Sequence, residues 1–392
     1  MDFLSMARSC DKETVVHRRF LHQYPEVGFD TDETNDYIKQ ILKEDGIDIL
    51  PSTVGVLAKI PAPVSNGIIA IRADIDALEV LEETDLPYAS LNVGKMHACG
   101  NDCHTAMLLS AAKIINENKD KLNYDVLLIF QPAEEGPDLG GARIFVQDFE
   151  DNGVLDDIKC IYGQHITSDF EVGRMFYRFG SMMASTDEFE VKIIGKGGNC
   201  SKQNLTIDAL SAAAHIITDM ESFVSKRTDP LDPVIFSVGT FNSGSNKNNI
   251  AEVAEFSGSI RCVNEDTRTF MADMFKNTLD GYKKIWGTDY ELEIIKGLPV
   301  LNVEEQYVSP FIKSIAKHVP EMKTEYLREP QMLAEDFSYF SEKIPAIFTW
   351  LGAQDEVAPY YPVSSPHIIF DERALSYGVA ANVCFAFTYG ER

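Results

Sequence analysis

Short apolar runs alternate with amphipathic segments over the first half of the chain, and this alternation most constrains the fold. Four apolar runs predict short buried strands, at residues 54–60, 67–71, 124–130 and 158–162. Helical patterns occupy most of residues 3–45 and also residues 106–116. This order is typical of an α/β domain in which helices cover both faces of a mixed, partly parallel sheet.

The pattern changes near residue 180. Residues 187–194 alternate polar and apolar side chains, as expected of a strand with one solvated face. The segments that follow predict a helix, two strands, a helix and a strand, at residues 206–225, 234–240, 254–263, 267–284 and 290–295. That order is the split βαβ plan of ferredoxin-like domains. After residue 298 the first pattern returns, with predicted helices at residues 310–318 and 374–388.

We therefore predict two domains. Residues 1–180 and 299–392 form the α/β domain, and residues 181–298 form a smaller α+β domain inserted into it.

Acidic residues dominate the charged side chains, because 61 Asp and Glu against 35 Lys and Arg give a net charge of −26. Such a protein repels phosphate, so we expect neither nucleic acid nor an anionic membrane surface as a partner. No run of about 18 apolar residues predicts a membrane span, and no secretory signal is evident. The seven cysteines are scattered rather than arranged as a disulfide framework, which favours a reducing, cytoplasmic location.

The densest polar cluster is Met-His-Ala-Cys-Gly-Asn-Asp-Cys-His at residues 96–104, just before a predicted helix. Two Cys, two His and one Asp so close together could hold a soft-to-borderline metal ion. Alternatively, Asn101 or Asp102 could cap the helix by accepting hydrogen bonds from its first amides. The spacing matches no zinc-finger pattern, so both interpretations stay open.

Two adjacent acids, Glu134 and Glu135, follow the apolar strand pattern at residues 124–130. The ends of strands are where α/β sheets place their sites. One carboxylate of such a pair can bind a metal ion while the other acts as a base toward the metal's water. The alternative is a solvated acidic loop.

Other candidates also lie at strand ends or in loops. His165 closes another apolar run, and His367 lies in a Pro-rich loop. Asp74 follows a third run and could either orient a metal ligand or pair with Arg72. Acids at residues 335–336 could cap a helix or serve a site. Together these residues suit a hydrolase with one or two divalent metal ions, whereas nucleotide-binding and serine-hydrolase fingerprints are missing.

The motifs taken in order resemble the metal-dependent aminoacylase and carboxypeptidase family, in the branch of hippurate hydrolase, auxin-conjugate hydrolases and N-acetyl-diaminopimelate deacetylase. The resemblance covers nearly the whole chain. It rests on His-Arg-Arg-Phe-Leu-His-Gln-Tyr-Pro-Glu at 17–26, Arg-Ala-Asp-Ile-Asp-Ala-Leu at 72–78, Met-His-Ala-Cys-Gly at 96–100, Phe-Gln-Pro-Ala-Glu-Glu-Gly at 130–136, Gly-Gly at 197–198, Glu-Asp-Phe at 335–337 and His367.

The resemblance implies a catalytic domain with a lid domain that often forms a homodimer or higher homo-oligomer. It implies hydrolysis of the amide of an N-acyl amino acid or a dipeptide-like small molecule. One or two divalent ions would be needed, from among zinc, manganese, cobalt and nickel. By position, Glu134 would be the general base that takes a proton from a metal-bound water and passes it to the leaving amine. The metal ligands would be Cys99, Glu135, His165 and His367.

Two residues depart from the family's pattern. Asn101 stands where the family has a ligating His, and Asn199 stands where it has a His that supports the tetrahedral intermediate. The amide oxygen of Asn101 is a weaker ligand for zinc-like ions than imidazole, although His104 or Asp102 could substitute for it, or one metal position could be empty. Asn199 could still donate a hydrogen bond to an oxyanion.

We therefore expect an active metal-dependent amidohydrolase with an altered site. The alternative is a catalytically weak or inactive homologue that binds a small acyl-amino-acid-like ligand.

Overall fold

The chain forms two compact units in the computed structural model, which describes residues 1–136, 140–357 and 359–391. The larger unit comprises Met1–Gly180, Asn302–Glu329 and Asp336–Arg392, and the smaller one comprises Ser181–Leu301 and Pro330–Glu335. Within the described ranges, every helix is too short or too polar to cross a membrane.

The α-helices of the described residues are numbered in chain order. They are α1 (Phe3–Ser9), α2 (Asp11–Gln23), α3 (Asp32–Glu44), α4 (Asn101–Glu117), α5 (Gly141–Asp151), α6 (Ala209–Arg227), α7 (Glu265–Trp286), α8 (Glu305–His318), α9 (Ser338–Lys343) and α10 (Ala374–Thr388). Short 3₁₀ turns occur at Lys119–Lys121, Leu155–Asp157 and Cys200–Leu205.

The strands are numbered in the same way. They are β1 (Asp48–Leu50), β2 (Val56–Ile60), β3 (Ile68–Asp74), β4 (Asp125–Gln131), β5 (Ile158–Glu171), β6 (Arg174–Tyr177), β7 (Gly180–Met183), β8 (Asp187–Ile194), β9 (Gly198–Asn199), β10 (Val234–Ser243), β11 (Asn249–Ile250), β12 (Val253–Cys262), β13 (Asp289–Lys296), β14 (Leu301–Val303), β15 (Lys323–Tyr326) and β16 (Ala346–Gln354).

An eight-stranded mixed sheet organises the larger unit, in the order β1-β2-β4-β3-β5-β16-β6-β15. The four central strands β4, β3, β5 and β16 are parallel neighbours. Nearly every residue of β3 and β4 is buried, as expected of parallel strands covered on both faces. Helix α4 packs against this centre of the sheet and against α2 and α10. The predicted α/β class with a mixed sheet is confirmed.

Two elements of this unit extend beyond their predicted bounds. Strand β5 continues nine residues past 162, to Glu171, and the polar residues between 164 and 168 are buried rather than solvated. For example, the Gln164 side chain donates to the Gly378 carbonyl at 3.1 Å, and the Ser168 hydroxyl donates to the Tyr361 carbonyl at 2.7 Å. Helix α4 begins at Asn101 rather than near residue 106, so the polar cluster reaches into the helix.

The smaller unit has the predicted split βαβ plan. Its four-stranded sheet has the order β10-β12-β8-β13, and all neighbours are antiparallel. Buried and exposed residues alternate along β8, which has the predicted bounds 187–194. Phe189, Phe256 and Phe275 form the centre of a core to which α6 and α7 also contribute. One face of each strand thus packs on the helices.

A buried ion pair links α7 to the start of β8. The Arg268 guanidinium contacts both carboxylate oxygens of Asp187, at 2.5 and 2.8 Å, and both side chains are about 95% buried. The Gly297 amide also donates to Asp187, at 3.1 Å. Removing one member of such a pair leaves an uncompensated buried charge, which costs much more than loss of an exposed pair.

We expect Arg268→Ala to destabilise the smaller unit by about 3 kcal/mol, because the buried Asp187 side chain loses the guanidinium that pairs with it. Lys283→Ala is the matched control, because Lys283 also lies on α7 and its exposed pair with Asp289 of β13 contributes little to stability. Denaturant unfolding can follow Trp286 of α7 alone in a Trp350→Phe background, because the chain has two tryptophans. Equal losses for both variants would contradict this role of Asp187.

Candidate active site

The candidate site lies at the carboxyl edge of the parallel strands in the larger unit. Strand β3 ends at Asp74 and β4 ends at Gln131, while β5 passes through His165. Helix α4 begins beside this edge with Asn101. The edge is the position at which open α/β sheets place their ligands.

Gly100 sets the close approach of α4 to β5. It precedes the helix in a left-handed conformation, with φ of +94°, and a Cβ atom there would lie 2.4 Å from the Ile166 side chain. Only glycine satisfies both conditions without strain. The capping interpretation of Asn101 and Asp102 is wrong, because Gly100 is the cap residue and no side chain caps the helix.

Cys99 and His165 come together beside this glycine, with Cys99 Sγ 3.6 Å from His165 Nε2. The other ring nitrogen, Nδ1, donates to the Ile166 carbonyl at 2.6 Å, so Nε2 keeps its lone pair. Burial, with a further contribution from His104, lowers the pKa of His165 to about 3. The ring is therefore neutral, which is the form in which imidazole binds metal ions.

The carboxylate of Asp76 holds the turn that carries Glu134 and Glu135. It accepts the amide hydrogens of Glu134 at 2.9 Å and of Glu135 at 3.1 Å, and the preceding Ala133 has a positive φ of 57°. Burial raises the pKa of Asp76 to about 7, and burial together with the charge of Asp76 raises that of Glu135 to about 7. This group of acids favours a nearby cation.

Asn101 connects the helix to this turn. Its Nδ2 donates to the Asp76 carbonyl at 2.8 Å and to Glu135 Oε1 at 3.3 Å. The side chain is buried, and its Oδ1 has no hydrogen-bond partner among the described residues. A buried acceptor without a partner is costly, and a ligand is one way to satisfy it.

These residues fit a divalent metal ion. They supply a thiol sulfur, an imidazole nitrogen with a free lone pair, a carboxylate and an unpartnered amide oxygen, which is a mixed donor set suited to borderline ions. In addition, carboxylate oxygens of Asp74 and Glu134 lie within 4.8 Å of each other. Burial and the neighbouring Glu135 and Glu134 raise the pKa of the Cys99 thiol, and a bound cation would act in the opposite direction.

The residues considered as substitutes for Asn101 have other partners. His104 Nδ1 lies 2.5 Å from Asp74, and its Nε2 accepts the Ile166 amide hydrogen at 2.8 Å. Asp102 lies 2.9 Å from Arg18 Nε and 2.8 Å from His22 Nδ1. The side chains of His104 and Asp102 are therefore already hydrogen-bonded to other residues, and the structure gives no support for either as a substitute for Asn101.

Asp74 pairs with Arg72 at 2.9 Å, as one of its two interpretations predicts, and it also contacts His104; that it orients a metal ligand stays a prediction. Burial alone would raise its pKa, but His104 and Arg72 outweigh burial and hold the pKa well below its usual value. Asp74 therefore stays ionised and can orient its neighbours.

His367 and Asn199 have other hydrogen-bond partners in the structure. Both ring nitrogens of His367 face Glu83, with Nε2 3.2 Å from its carboxylate and Nδ1 3.1 Å from its carbonyl oxygen. Asn199 belongs to the smaller unit, where it is exposed and accepts the Ser201 amide hydrogen at 3.0 Å. Their roles as a metal ligand and as an oxyanion donor stay predictions.

Two buried acids position the site: sequence reasoning gave no role to Asp76, and it left Asp336 open as a helix cap or a site residue. The sequence could have indicated Asp76, because it lies two residues past the end of β3. No feature of the sequence indicates its hydrogen bonds to the amides of Glu134 and Glu135. Asp336 accepts hydrogen bonds from Arg72 at 2.8 Å, from Gln131 at 2.6 Å and from the Ala142 amide at 3.1 Å. It thereby joins β3, β4 and α5 from a distant part of the chain.

Comparisons with known proteins agree with this arrangement. Residues 70–387 match the profile of peptidase family M20/M25/M40. The chain is 32% identical to thermostable carboxypeptidase 1 of Saccharolobus solfataricus over 96% of this chain and 95% of that protein. It is 34% identical to N-acetyl-L-cysteine deacetylase of Bacillus subtilis over 90% of this chain and 83% of that protein.

A solved structure is similar over nearly the whole chain. The YXEP protein of Bacillus subtilis, described as a dinuclear metal-binding peptidase of the M20 family, superimposes with a TM-score of 0.84 at 30% identity. The match covers 97% of this chain and 99% of that one. The resemblance inferred from the motifs is confirmed.

We expect Asp76→Ala to weaken metal binding about 10- to 100-fold, the range typical of residues that support metal ligands. The reason is that the Glu134–Glu135 turn loses the carboxylate that holds both its amides. Isothermal titration with Mn²⁺ or Zn²⁺ measures the change. Asp148→Ala is the control, because Asp148 likewise accepts a backbone amide, that of Thr53 at 2.9 Å, but at an exposed position. Unchanged affinity in Asp76→Ala would contradict the proposed support.

Proposed function

This chain belongs to peptidase family M20/M25/M40, and on that premise we propose that it hydrolyses the amide bond of an N-acyl amino acid or a dipeptide-like small molecule. The family and the deacetylase and amidohydrolase relatives assign the chain to the class of metal-dependent amidohydrolases. The observation that carries the proposal is the Glu134–Glu135 turn, held by Asp76 next to Asn101 at the sheet edge.

The residues proposed to hold one or two divalent ions are Cys99, Asn101, Glu135, His165 and His367. A bound divalent ion supplies Lewis acidity, which polarises the scissile carbonyl and lowers the pKa of water. Cys99 and His165 support this proposal most directly, because the lone pair of His165 Nε2 faces the sulfur.

Glu134 is proposed as the general base. Its carboxylate takes a proton from the attacking water as the water oxygen bonds to the amide carbon. Glu134 then gives that proton to the amide nitrogen as the carbon–nitrogen bond breaks, so that a carboxylic acid and an amine leave. Asp76 fixes the backbone of both Glu134 and Glu135. The Glu135 carboxylate is the one proposed as a metal ligand.

The finer parts of the proposal concern substrate, assembly and location. A relative acts on N-acetyl-L-cysteine, which supports a small substrate with a free carboxylate. The Nδ2 of Asn199 is proposed to donate to the developing oxyanion.

We further propose a homodimer formed through the smaller unit. All seven cysteines are free, which supports the proposed cytoplasmic location.

Glu134→Gln should lower kcat on N-acyl amino acids by about 10²- to 10⁴-fold, because the glutamine side chain cannot take the proton from the attacking water. The KM and the metal content should change little, since the backbone at residue 134 keeps its hydrogen bond to Asp76. Chelator should abolish the activity of the parent protein, and added Mn²⁺ or Zn²⁺ should restore it. A panel of N-acyl amino acids with liberated amine as the readout measures these changes.

Glu321→Gln is the control for Glu134→Gln, because Glu321 takes part in an exposed pair with Arg8. Activity that survives both the chelator and Glu134→Gln would contradict the mechanism. Thermal stabilisation by an N-acyl amino acid without turnover in the parent protein would instead favour the inactive, ligand-binding alternative.

Sedimentation equilibrium tests the assembly. We expect twice the chain mass for the full protein at micromolar concentration, with no change after chelation, because the smaller unit contains none of the proposed metal ligands. A monomer at all accessible concentrations would contradict the proposed dimer.

A further inference from the structure

The orientation of the Asn101 side-chain amide follows from its neighbours. Two hydrogen-bond acceptors, the Asp76 carbonyl and Glu135 Oε1, face one branch of the amide at 2.8 and 3.3 Å. If the amide were rotated by half a turn, its oxygen would face two other oxygens, and both hydrogen bonds would be lost. Nδ2 must therefore occupy this branch, and Oδ1 must occupy the other.

The other branch then presents an oxygen with unmet bonding capacity. Asn101 is 1% exposed, so water from bulk solvent does not cover Oδ1. Among the described residues no group donates a hydrogen bond to it. Because Oδ1 has lone pairs and no hydrogen, a donor or a cation can satisfy it.

The donor atoms around Asn101 fall into two chemically different groups. Cys99 Sγ and His165 Nε2 form a sulfur–nitrogen pair, 3.6 Å apart. Asn101 Oδ1 and the Glu135 carboxylate are oxygen ligands, and Asn101 Nδ2 donates to Glu135 Oε1. Thiolate and imidazole favour zinc-like ions, whereas carboxylate and carbonyl oxygens favour harder ions such as Mn²⁺.

We infer that Asn101 Oδ1 is a metal ligand. Because this ligand is an oxygen, the cation that it binds is a hard, oxygen-preferring ion of the Mn²⁺ type. The position beside Cys99 and His165 keeps its preference for Zn²⁺-like ions. The inference rests on the metal site proposed above and adds to it a difference in ion preference, which a single residue determines.

Asn101→His tests this inference by exchanging the oxygen for an imidazole nitrogen. Affinities for Zn²⁺ and Mn²⁺ are measured separately on the full chain, by isothermal titration for Zn²⁺ and by the electron paramagnetic resonance of free Mn²⁺. We expect Zn²⁺ to bind about 10- to 100-fold more tightly to the variant, while Mn²⁺ affinity changes by less than about threefold. Both readouts are independent of turnover.

Asn116→His is the matched control. Asn116 lies on the same helix α4, and its Nδ2 also donates to a backbone carbonyl, that of Asp45 at 2.8 Å. This variant should leave both affinities unchanged. An equal change for both ions in Asn101→His, or no change for either ion, would overturn the inference.

Two further variants keep the test decisive if Asn101→His does not fold. Asn101→Ala removes Oδ1 and should weaken Mn²⁺ binding by at least about tenfold. Asn101→Asp retains an oxygen and should keep Mn²⁺ affinity at or above that of the parent protein. Equal Mn²⁺ affinity in the Ala and Asp variants would overturn the inference.

The failure of this inference is distinguishable from failure of the proposed function. If the parent protein binds neither ion, the metal site itself is wrong, and so is the amidohydrolase mechanism. If the parent protein binds ions and hydrolyses substrate but Asn101→His does not discriminate between Zn²⁺ and Mn²⁺, only the assignment of Asn101 is wrong.

Discussion

The arrangement of the larger unit depends on one buried cation between two buried anions. The Arg72 guanidinium contacts Asp74 at 2.9 Å and Asp336 at 2.8 Å, and all three side chains are almost fully buried. Each carboxylate also binds further groups. Asp74 contacts His104, and Asp336 accepts hydrogen bonds from Gln131 and from an amide at the start of α5. Breaking such a cluster leaves unpaired buried charge, so the carboxyl edge of the sheet is held as a unit.

Much of the fold could be predicted from the sequence because its signals are local. Apolar runs located β2, β3 and β4 to within a few residues, and strict alternation located β8 at its observed bounds. The second half of β5 could not be predicted, because its buried polar residues find partners distant in sequence, such as the Gly378 carbonyl for Gln164. The start of α4 was missed for a similar reason, since Asn101 and Asp102 are buried by tertiary contacts.

The site shows the same division. Strand ends indicated Glu134, Glu135 and His165, and the structure joins Cys99 to His165 and Asn101 to Glu135. The hydrogen bonds that orient these groups involve carbonyls and amides whose positions no residue pattern records. Asp76 illustrates this limit, because its side chain binds two amides while its own carbonyl binds Asn101.

Gly100 has a consequence for how such a site can change. The backbone there is fixed by its positive φ and by the 2.4 Å clearance to Ile166, so position 100 tolerates no other residue easily. The adjacent Cys99 and Asn101 carry the donor atoms, and neither has the positive φ of Gly100. The backbone conformation of this turn and the chemistry of its proposed ligands thus depend on different residues. Position 100 sets the path of the backbone, whereas the residues on either side of it set which metal ion the proposed site would prefer.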